Sequence, residues 1–368
     1  MKAPKDLYRL DQWYEGFGQG LMVIAGPCSA ETRQQVLQAA REISVFRQVK
    51  ALRAGIWKPR TRPDSFQGVG EKALAWLQEA RAETGLRMAV EVATPAHVEM
   101  ALKYEMDMVW LGARTTSNPF SLQQLTASLR ASQVPVLIKN PVNPDIQLWI
   151  GALERLYQAG LRKLAAVHRG FYPYEPTSYR NLPQWEMLIE LKRQWPELPI
   201  ICDPSHIAGE SSYVGEIAQQ SLDLNADGLM IEAHPNPPEA LSDPRQQLTP
   251  AQLGQLLDAL KKRDPSSANP HFNSNLENLR EQIDAIDHRM LDILARRMKT
   301  VRQIGRYKKQ NQVSILQMNR WQDILTNRLA RGQKLGLDQE FLKKLLELIH
   351  KESIHQQRQV INQDKTDS

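Results

Sequence analysis

Reactive side chains recur in this 368-residue sequence wherever a short apolar run ends. They include thiol, imidazole, carboxylate and cationic groups, and they are Cys28, Arg53, Lys58, Arg60, Arg114, Lys139, His168, Arg169, Asp203, His206, Glu232 and Asp243. Thiolate, imidazole and carboxylate can together hold one divalent transition metal and leave a position open for Lewis-acid chemistry. Several Arg and Lys side chains at one opening would bind phosphates or carboxylates. The residue types therefore indicate two kinds of site, a metal centre and an anion site.

Each of these residues, taken singly, also has an ordinary structural explanation. A lone cysteine near a strand end is usually a small buried apolar residue, and a lone histidine usually packs or caps. Cys202 lies within an apolar run and is interpreted in that way. The reactive residues all lie where an apolar run ends, and this shared position favours an active site.

The runs themselves predict the fold. There are eight between residues 20 and 232, and they read LMVIAG, VKALRAG, RMAVEVA, MVWLGA, VPVLIKN, KLAAVH, LPIICDP and DGLMIEAH. Helical patterns lie between them, for example at 31–46, 70–83, 122–131, 146–159 and 184–195. Eight strands alternating with helices over about 250 residues are typical of an α/β (β/α)₈ TIM barrel, which builds its active site at the carboxyl ends of the strands. A doubly wound open sheet is the alternative, but no GxGxxG motif follows the first run.

The composition changes near Pro270. Residues 1–270 hold 29 basic and 29 acidic side chains, whereas residues 271–368 hold 18 and 12, so the net charge of +6 belongs to the smaller region. All 22 prolines lie at or before Pro270, and residues 264–275 are polar and turn-rich, as linkers are. The predicted organisation is a barrel over 1–263, a linker over 264–275, a helical domain over 276–361 and a flexible tail over 362–368.

Composition also excludes several classes of protein. At 42% hydrophobic and 24% charged residues, the chain is neither fibrous nor wholly disordered. No run approaches the roughly 18 apolar residues of a membrane helix, and the N-terminus lacks the apolar core of a signal peptide. Two cysteines favour a reducing, cytoplasmic location. The pI near 9.2 suggests a nucleic-acid-binding tail, but this alternative requires a basic surface rather than cations on an apolar stripe.

Helical periodicity replaces the strand pattern from residue 276 onward. One apolar stripe of period 3.6 continues to about residue 309, followed by predicted helices at 315–330 and 338–360. The first helix is longer than the other two can cover, so a homodimer is predicted. Arg297 and Lys308 share a face, because eleven steps of 100° return to within about 20°. Arg280 lies about 100° away and is predicted to serve another site or the partner's; a solvated basic face is the alternative.

The barrel motifs resemble a known enzyme family. GPCSAE, KPRT with SFQG, GART, HRG, DPSH and ADGLMIEAHPNPPEALSD are similar in order and spacing to the compact type of 3-deoxy-D-arabino-heptulosonate 7-phosphate synthase, over about residues 15–262. The sibling 3-deoxy-D-manno-octulosonate 8-phosphate synthase typically has a KANR-like sequence in place of KPRT. The resemblance therefore implies condensation of phosphoenolpyruvate with erythrose 4-phosphate on one divalent metal ion. Manganese is the expected ion, with iron, cobalt and zinc left open.

The same resemblance implies a role for each matching residue. The expected metal ligands are Cys28, His206, Glu232 and Asp243. The carboxylate end of phosphoenolpyruvate is expected at Arg53 and at Lys58, which is also an expected catalytic residue, and its phosphate at Arg114, Lys139 and Arg169. The phosphate of erythrose 4-phosphate is expected at Arg60 and Thr61, with Asp203 catalytic beside the aldehyde. His168 departs from relatives that have Glu there, which bears on water activation. The extra N-terminal domain of some relatives is not expected, because the first strand begins near residue 21.

The helical region resembles the all-helical chorismate mutases over residues 276–360. LREQIDAID, ILARR, IGRYK and ESIHQQ carry the likeness. In that family two long helices intertwine in a dimer, and each site takes one Arg from the partner. The implied residues are Arg280 from the partner and, from the same chain, Arg297, Lys308, Arg320, Ser353 and Gln357, of which Lys308 and Gln357 are catalytic. Gln317 and Trp321 depart from the family, which has Asp at the first position and a hydroxyl-binding Glu at the second.

Together the two resemblances imply a bifunctional shikimate-pathway enzyme that acts on phosphoenolpyruvate, erythrose 4-phosphate and chorismate. Prephenate, the mutase product, is expected to inhibit the synthase through the helical domain. Neither nucleic acid nor membrane is an expected partner. The alternative is a helical domain that only senses a ligand and dimerises.

Overall fold

The computed structural model describes residues 4–58, 66–130, 132–175, 177–264 and 266–362. The predicted Arg60 and Thr61 lie outside the described residues. The chain divides into two compact units, Met1–Pro265 and Ser266–Ser368. The predicted fold class is confirmed, because the first unit contains a closed parallel barrel and the second is helical.

All eight predicted runs form strands. They pair in chain order, all in parallel, and the last closes against the first. The strands are β1 Met22–Gly26, β2 Val49–Ala54, β3 Arg87–Val92, β4 Met108–Leu111, β5 Val136–Lys139, β6 Leu164–His168, β7 Ile200–Cys202 and β8 Gly228–Glu232. The alternative of a doubly wound open sheet is therefore excluded.

Helices surround this barrel and cover its outer face. They are α1 Arg33–Ser44, α2 Lys72–Thr84, α3 Pro95–Lys103, α4 Ala113–Thr116, α5 Pro119–Leu129, α6 Ile146–Gln158, α7 Trp185–Gln194, α8 Pro204–Ala208, α9 Ser211–Asp223 and α10 Pro250–Ala259. Polar side chains cap several of their first turns, as Thr32 does for α1 and Asp145 for α6. Such caps satisfy backbone N–H groups that have no partner within the helix.

The barrel interior changes from apolar to charged along the strands. Its lower part is an apolar cluster with Trp110 in the middle, closed below by Leu10, Trp13 and Phe17. Because side chains alternate across a strand, residues two positions beyond that cluster also point inward at the carboxyl ends, and these are Arg53, Glu91, Lys139, Asp203 and Glu232. The alternation of side chains along the strands therefore places these charged groups together, next to the apolar lower part of the barrel.

Two glycines let the first two strands approach closely just before the reactive thiol of Cys28. Gly26 has φ +143°, and a Cβ atom there would lie 2.3 Å from the carbonyl oxygen of Arg53. A Cβ atom on Gly55 would lie 2.6 Å from the carbonyl oxygen of Cys28. Neither position has room for a side chain.

The second unit consists of three helices: α11 Pro270–Gln310, α12 Met318–Lys334 and α13 Gln339–Asn362. α11 begins six residues before the predicted 276, because Asn269 caps its first turn and Pro270 is compatible with that position. Residues 270–275 of the predicted linker are thus helical, and Asn362 of the predicted tail ends α13. None of the helices in the described part of the chain is long and apolar enough to cross a membrane.

α13 packs on the second half of α11, where Val301 and Gly305 are buried. The first half of α11 exposes its apolar stripe, which includes Leu279, Ile283, Ile286, Met290 and Ile293. Within the described chain this stripe is not covered.

His168 should make the barrel sensitive to acid. Burial lowers its pKa from the ordinary 6.5 to about 4, among the rings of Trp149, Phe171 and Trp185. The unfolded chain takes up this proton near pH 6.5 and the folded chain only near pH 4. The free energy of unfolding should therefore fall by up to about 3 kcal/mol as the pH drops through this window.

His168→Phe removes the titrating group and keeps an aromatic ring in the cluster. We expect the free energy of unfolding of this variant, measured with urea at pH 7 and pH 4.5, to fall less than that of the wild type. An equal fall in both proteins would show that His168 does not contribute.

Candidate active sites

A cavity of about 340 Å³ opens at the carboxyl ends of the barrel strands. The predicted residues that line it are Lys58, Arg114, Lys139, Arg169, His206 and Asp243. His168 is not among the lining residues, because it points outward into the layer between the sheet and the helices. Most of the predicted side chains around the cavity are cationic, which is the composition expected of an anion site.

Three of the four predicted metal ligands converge beside this cavity. Ligand atoms of Cys28, Glu232 and Asp243 all lie within 4.8 Å of one another. His206 is adjacent, with Nε2 3.7 Å from Oε1 of Glu232. Thiol, imidazole and two carboxylates are the donor set of a borderline divalent transition metal, so the residues present fit such an ion.

The CDPSH segment folds so that Asp203 orients His206. Asp203 ends the strand as the N-cap of α8, and its Oδ1 accepts from the backbone N–H of His206 at 3.1 Å. Pro204 fits the first helical position. The Oδ2 atom of Asp203 lies 2.8 Å from Nδ1 of His206. A carboxylate at Nδ1 leaves Nε2, on the Glu232 side, as the atom available for a metal.

Buried charges at this end of the barrel balance one another. Arg53 donates to Glu232 at 2.9 Å, and Lys139 donates to Asp203 at 2.8 Å. Burial opposes the charge of Asp203, but His206 and Lys139 hold its pKa well below the ordinary range. Burial likewise opposes the charge of Glu232, yet His206 and Arg53 keep its pKa lowered.

The thiol of Cys28 is neutral in this arrangement. Burial, with the charge of Glu232, raises its pKa to about 11. Its Sγ donates to Asp243 at 3.4 Å and accepts from Lys58 Nζ at 3.1 Å. Because a thiol binds a metal as thiolate, loading of the site would release this proton.

The cations differ in how open they are to a ligand. Arg114 is exposed at the cavity, whereas Arg169 is half-buried. Burial, with the charges of Arg180 and Arg114, lowers the pKa of Arg169 to about 10, although Asp203 acts in the opposite direction. Arg53 is 1% exposed and is not among the lining residues, since its guanidinium lies over Trp110 and pairs with Glu232. The structure therefore places Arg53 beneath the cavity rather than at its surface.

Several residues of the site were missed from the sequence. Glu91 and Arg180 line the cavity, and Arg180 pairs with Asp243 at 3.1 Å. Gln246 donates to Glu232 at 2.6 Å, and Gln247 accepts from the backbone N–H of Cys28 at 2.9 Å. Glu91 could have been predicted from the sequence, because it is a charged residue on the inward face of β3.

A second polar cluster lies between the helices of the second unit. Arg297 donates to Ser353 Oγ at 2.6 Å, joining α11 to α13. Lys308, on the same face as Arg297, donates to the carbonyl of Ile315 at 2.5 Å. Gln357 is buried one turn beyond Ser353 and donates to its carbonyl at 3.3 Å. Arg297, Ser353 and Gln357 are thus linked by hydrogen bonds, whereas Lys308 lies about 17 Å along the α11 axis from Arg297.

The other two predicted cations are exposed. Arg320 is exposed on α12. Arg280 is exposed on the uncovered half of α11, about 25 Å along the axis from Arg297 at 1.5 Å per residue. Of the two departures from the family, Gln317 precedes α12 as its N-cap, and Trp321 stacks on His350.

Comparison with known proteins agrees with both units. The DAHP synthetase I family matches residues 5–267, and chorismate mutase type II matches residues 279–358. Phospho-2-dehydro-3-deoxyheptonate aldolase of Thermotoga maritima is 33% identical over 240 residues, which are 65% of this chain and 69% of the relative. A 2-dehydro-3-deoxyphosphooctonate aldolase of Desulfotalea psychrophila is 27% identical, covering 67% of this chain and 91% of the relative.

Solved structures give the same result. The crystal structure of the Thermotoga maritima phospho-2-dehydro-3-deoxyheptonate aldolase superimposes with a TM-score of 0.60 at 31% identity, over 66% of this chain and 68% of that one. A truncated 3-deoxy-D-arabino-heptulosonate 7-phosphate synthase from the same organism gives 0.57 at 28% identity, over 66% and 85%. The chain therefore belongs to the DAHP synthetase I family and carries, fused behind the barrel, a segment of the chorismate mutase type II family.

Proposed function

We propose that the barrel condenses phosphoenolpyruvate with erythrose 4-phosphate to 3-deoxy-D-arabino-heptulosonate 7-phosphate, and that the helical unit converts chorismate to prephenate. The observation that carries the first activity is the cluster of Cys28, Glu232 and Asp243 next to a cavity lined by cations. Two phosphates and a carboxylate need several fixed positive charges, and this cavity supplies them.

In the condensation, the methylene carbon of phosphoenolpyruvate bonds to the aldehyde carbon of erythrose 4-phosphate. Arg114, Lys139 and Arg169 hold the phosphate of phosphoenolpyruvate, which fixes the reacting carbons relative to each other. Cys28, His206, Glu232 and Asp243 would hold a divalent ion, which would supply Lewis-acid polarisation of the aldehyde oxygen. Water then adds to the cationic carbon, and phosphate leaves by C–O cleavage. Asp203 keeps Lys139 charged and His206 oriented throughout.

The mutase reaction needs no nucleophile. Arg297 presents a cation to a carboxylate of chorismate, and Ser353 and Gln357 face Arg297 from α13. Lys308 and Gln357 stabilise the charge that develops on the ether oxygen during the rearrangement, while the cations restrain the substrate. An uncharged pocket would not hold such a ligand.

Dimerisation through α11 is part of the same proposal. Its exposed apolar stripe is the kind of surface that a second copy covers. Arg280 lies too far along α11 to reach Arg297 of its own chain, which supports a role in the site of the partner. Prephenate bound at the helical site would then inhibit the synthase, as feedback by the product of the fused activity.

Removal of the metal should separate the two activities. Chelation should abolish condensation and leave chorismate turnover unchanged, because the cluster of potential metal ligands found among the described residues lies in the barrel. Cys28→Ser should weaken Mn²⁺ binding by more than about 10-fold, measured as metal content after dialysis. Cys202→Ser, at the other buried cysteine, is the matched control and should bind one equivalent. Condensation that survives chelation would overturn the metal assignment.

Arg297→Ala should lower kcat/KM for chorismate by about 30-fold or more, because truncating one partner of a desolvated charge pair costs at least about 2 kcal/mol. Its mass in solution should remain that of two chains. Arg296→Ala, at an exposed neighbouring position, is the control and should keep wild-type turnover. If wild type binds chorismate without converting it, the helical unit is a sensor rather than a mutase. A single-chain mass for wild type would overturn the dimer.

Prephenate should lower the rate of condensation in the intact chain. The inhibition should disappear in Arg297→Ala and persist in Arg296→Ala, because only the first variant loses a cation of the helical site. Synthase assays over a prephenate series, with binding measured by calorimetry, check this. Prephenate that binds without changing the synthase rate would contradict the feedback proposal.

A further inference from the structure

Two buried polar atoms in the helical unit lack a hydrogen-bond partner. Within the described residues of this unit, they are Nε2 of His350 and Oε1 of Gln357. The two residues are seven positions apart on α13, so they lie on the same helix face, with Ser353 between them. Buried polar groups are normally paired, and leaving one unpaired costs about 1–3 kcal/mol. A ligand that enters between the helices would satisfy both atoms.

The ring of His350 is held in place by Trp321. Their ring centres are 3.8 Å apart and the ring planes differ by 15°, which is a stacked pair joining α13 to α12. The stack leaves the imidazole little freedom to rotate out of its plane. Trp321 therefore positions His350, while its own indole has no acceptor atom to offer a ligand.

His350 is also within the field of the two mutase cations. Burial lowers its pKa, and Arg297 and Lys308 on α11 lower it further. The ring is therefore neutral near pH 7, unlike the cations opposite. A carboxylate would be held by the charged Arg297, whereas a neutral imidazole suits an uncharged hydroxyl.

We propose that His350 is a further substrate-binding residue of the mutase site, whose Nε2 hydrogen-bonds the hydroxyl group of chorismate, and that Trp321 is the positioning residue that fixes the ring. This proposal rests on the mutase function proposed above. It adds an uncharged contact to a site otherwise described by its cations, and it gives the stacked pair a part in substrate recognition.

The test uses the intact chain and three variants. His350→Phe keeps a flat ring for stacking on Trp321 and removes Nε2, and we expect kcat/KM for chorismate to fall about 10-fold, as expected for one hydrogen bond. His350→Gln restores a polar group at a similar reach and should recover part of the loss. His355→Phe is the matched control, because His355 is exposed on α13 and pairs with Gln359. It should match wild type.

A substrate analogue without the hydroxyl identifies the contact. Wild type should bind chorismate about 10-fold more tightly than the 4-deoxy analogue in calorimetry, and His350→Phe should bind the two ligands alike. Trp321→Ala should lose discrimination too, and the double variant should lose no more than either single one, since both changes remove one contact.

Failure of this proposal is distinguishable from failure of the mutase assignment. Wild-type turnover with unchanged discrimination in His350→Phe would overturn the role of His350 and leave the mutase intact. A single-chain mass for His350→Phe would assign the ring to assembly and also overturn it. If wild type neither binds nor converts chorismate, both proposals fall together.

Discussion

The active end of the barrel depends on keeping two fully buried carboxylates charged. Asp203 and Glu232 stay ionised because His206, Lys139 and Arg53 lie against them in the same interior. Removing one member of such a pair typically costs 3–5 kcal/mol, since the other charge is left uncompensated. Asp203 also caps α8 and orients His206, so this charge balance reaches the metal ligands as well. The contacts that neutralise the buried charges are therefore the same contacts that set the geometry of the site.

The helical unit also has to hold cations in a fixed arrangement, but it does so with fewer charged groups. Its cations occupy an apolar face, and α13 comes close enough to share a site with them because Gly305 has no side chain. A Cβ atom there would lie 3.2 Å from Cα of Gln357. The close approach aligns Arg297 with Ser353 and leaves Gln357 facing the same space. Backbone proximity, rather than a network of ion pairs, places the polar groups of this unit.

Much of the barrel could be predicted from sequence, because strand runs and their reactive ends are local patterns. The predicted ligands Cys28, Glu232 and Asp243 do come together, although they are far apart in the chain. Glu91 was missed because the search for reactive residues considered only the ends of the strands, and Glu91 lies within one. Gln246 and Gln247 carry no local signal, since their roles arise only from the way one loop folds back on Cys28.

In the helical unit, the periodicity of the sequence predicted that Arg297 and Lys308 share a face. It could not predict which residues of different helices come into contact. The stack of Trp321 on His350 joins residues far apart in sequence, and no spacing rule links them. The start of α11 was placed late because the capping side chain of Asn269 stands in a polar segment that looks like a linker.

Gly26 and Gly55 bear on how the metal cluster withstands sequence change. The backbone N–H of Gly55 donates to the carbonyl of Cys28 at 3.2 Å, so a main-chain contact helps to fix the position of Cys28. Substitutions that reshape the surrounding helices alter side chains, not this main-chain contact. The residues of the outer helices can therefore change among descendants of this sequence while the sulfur atom of Cys28 stays in the same position.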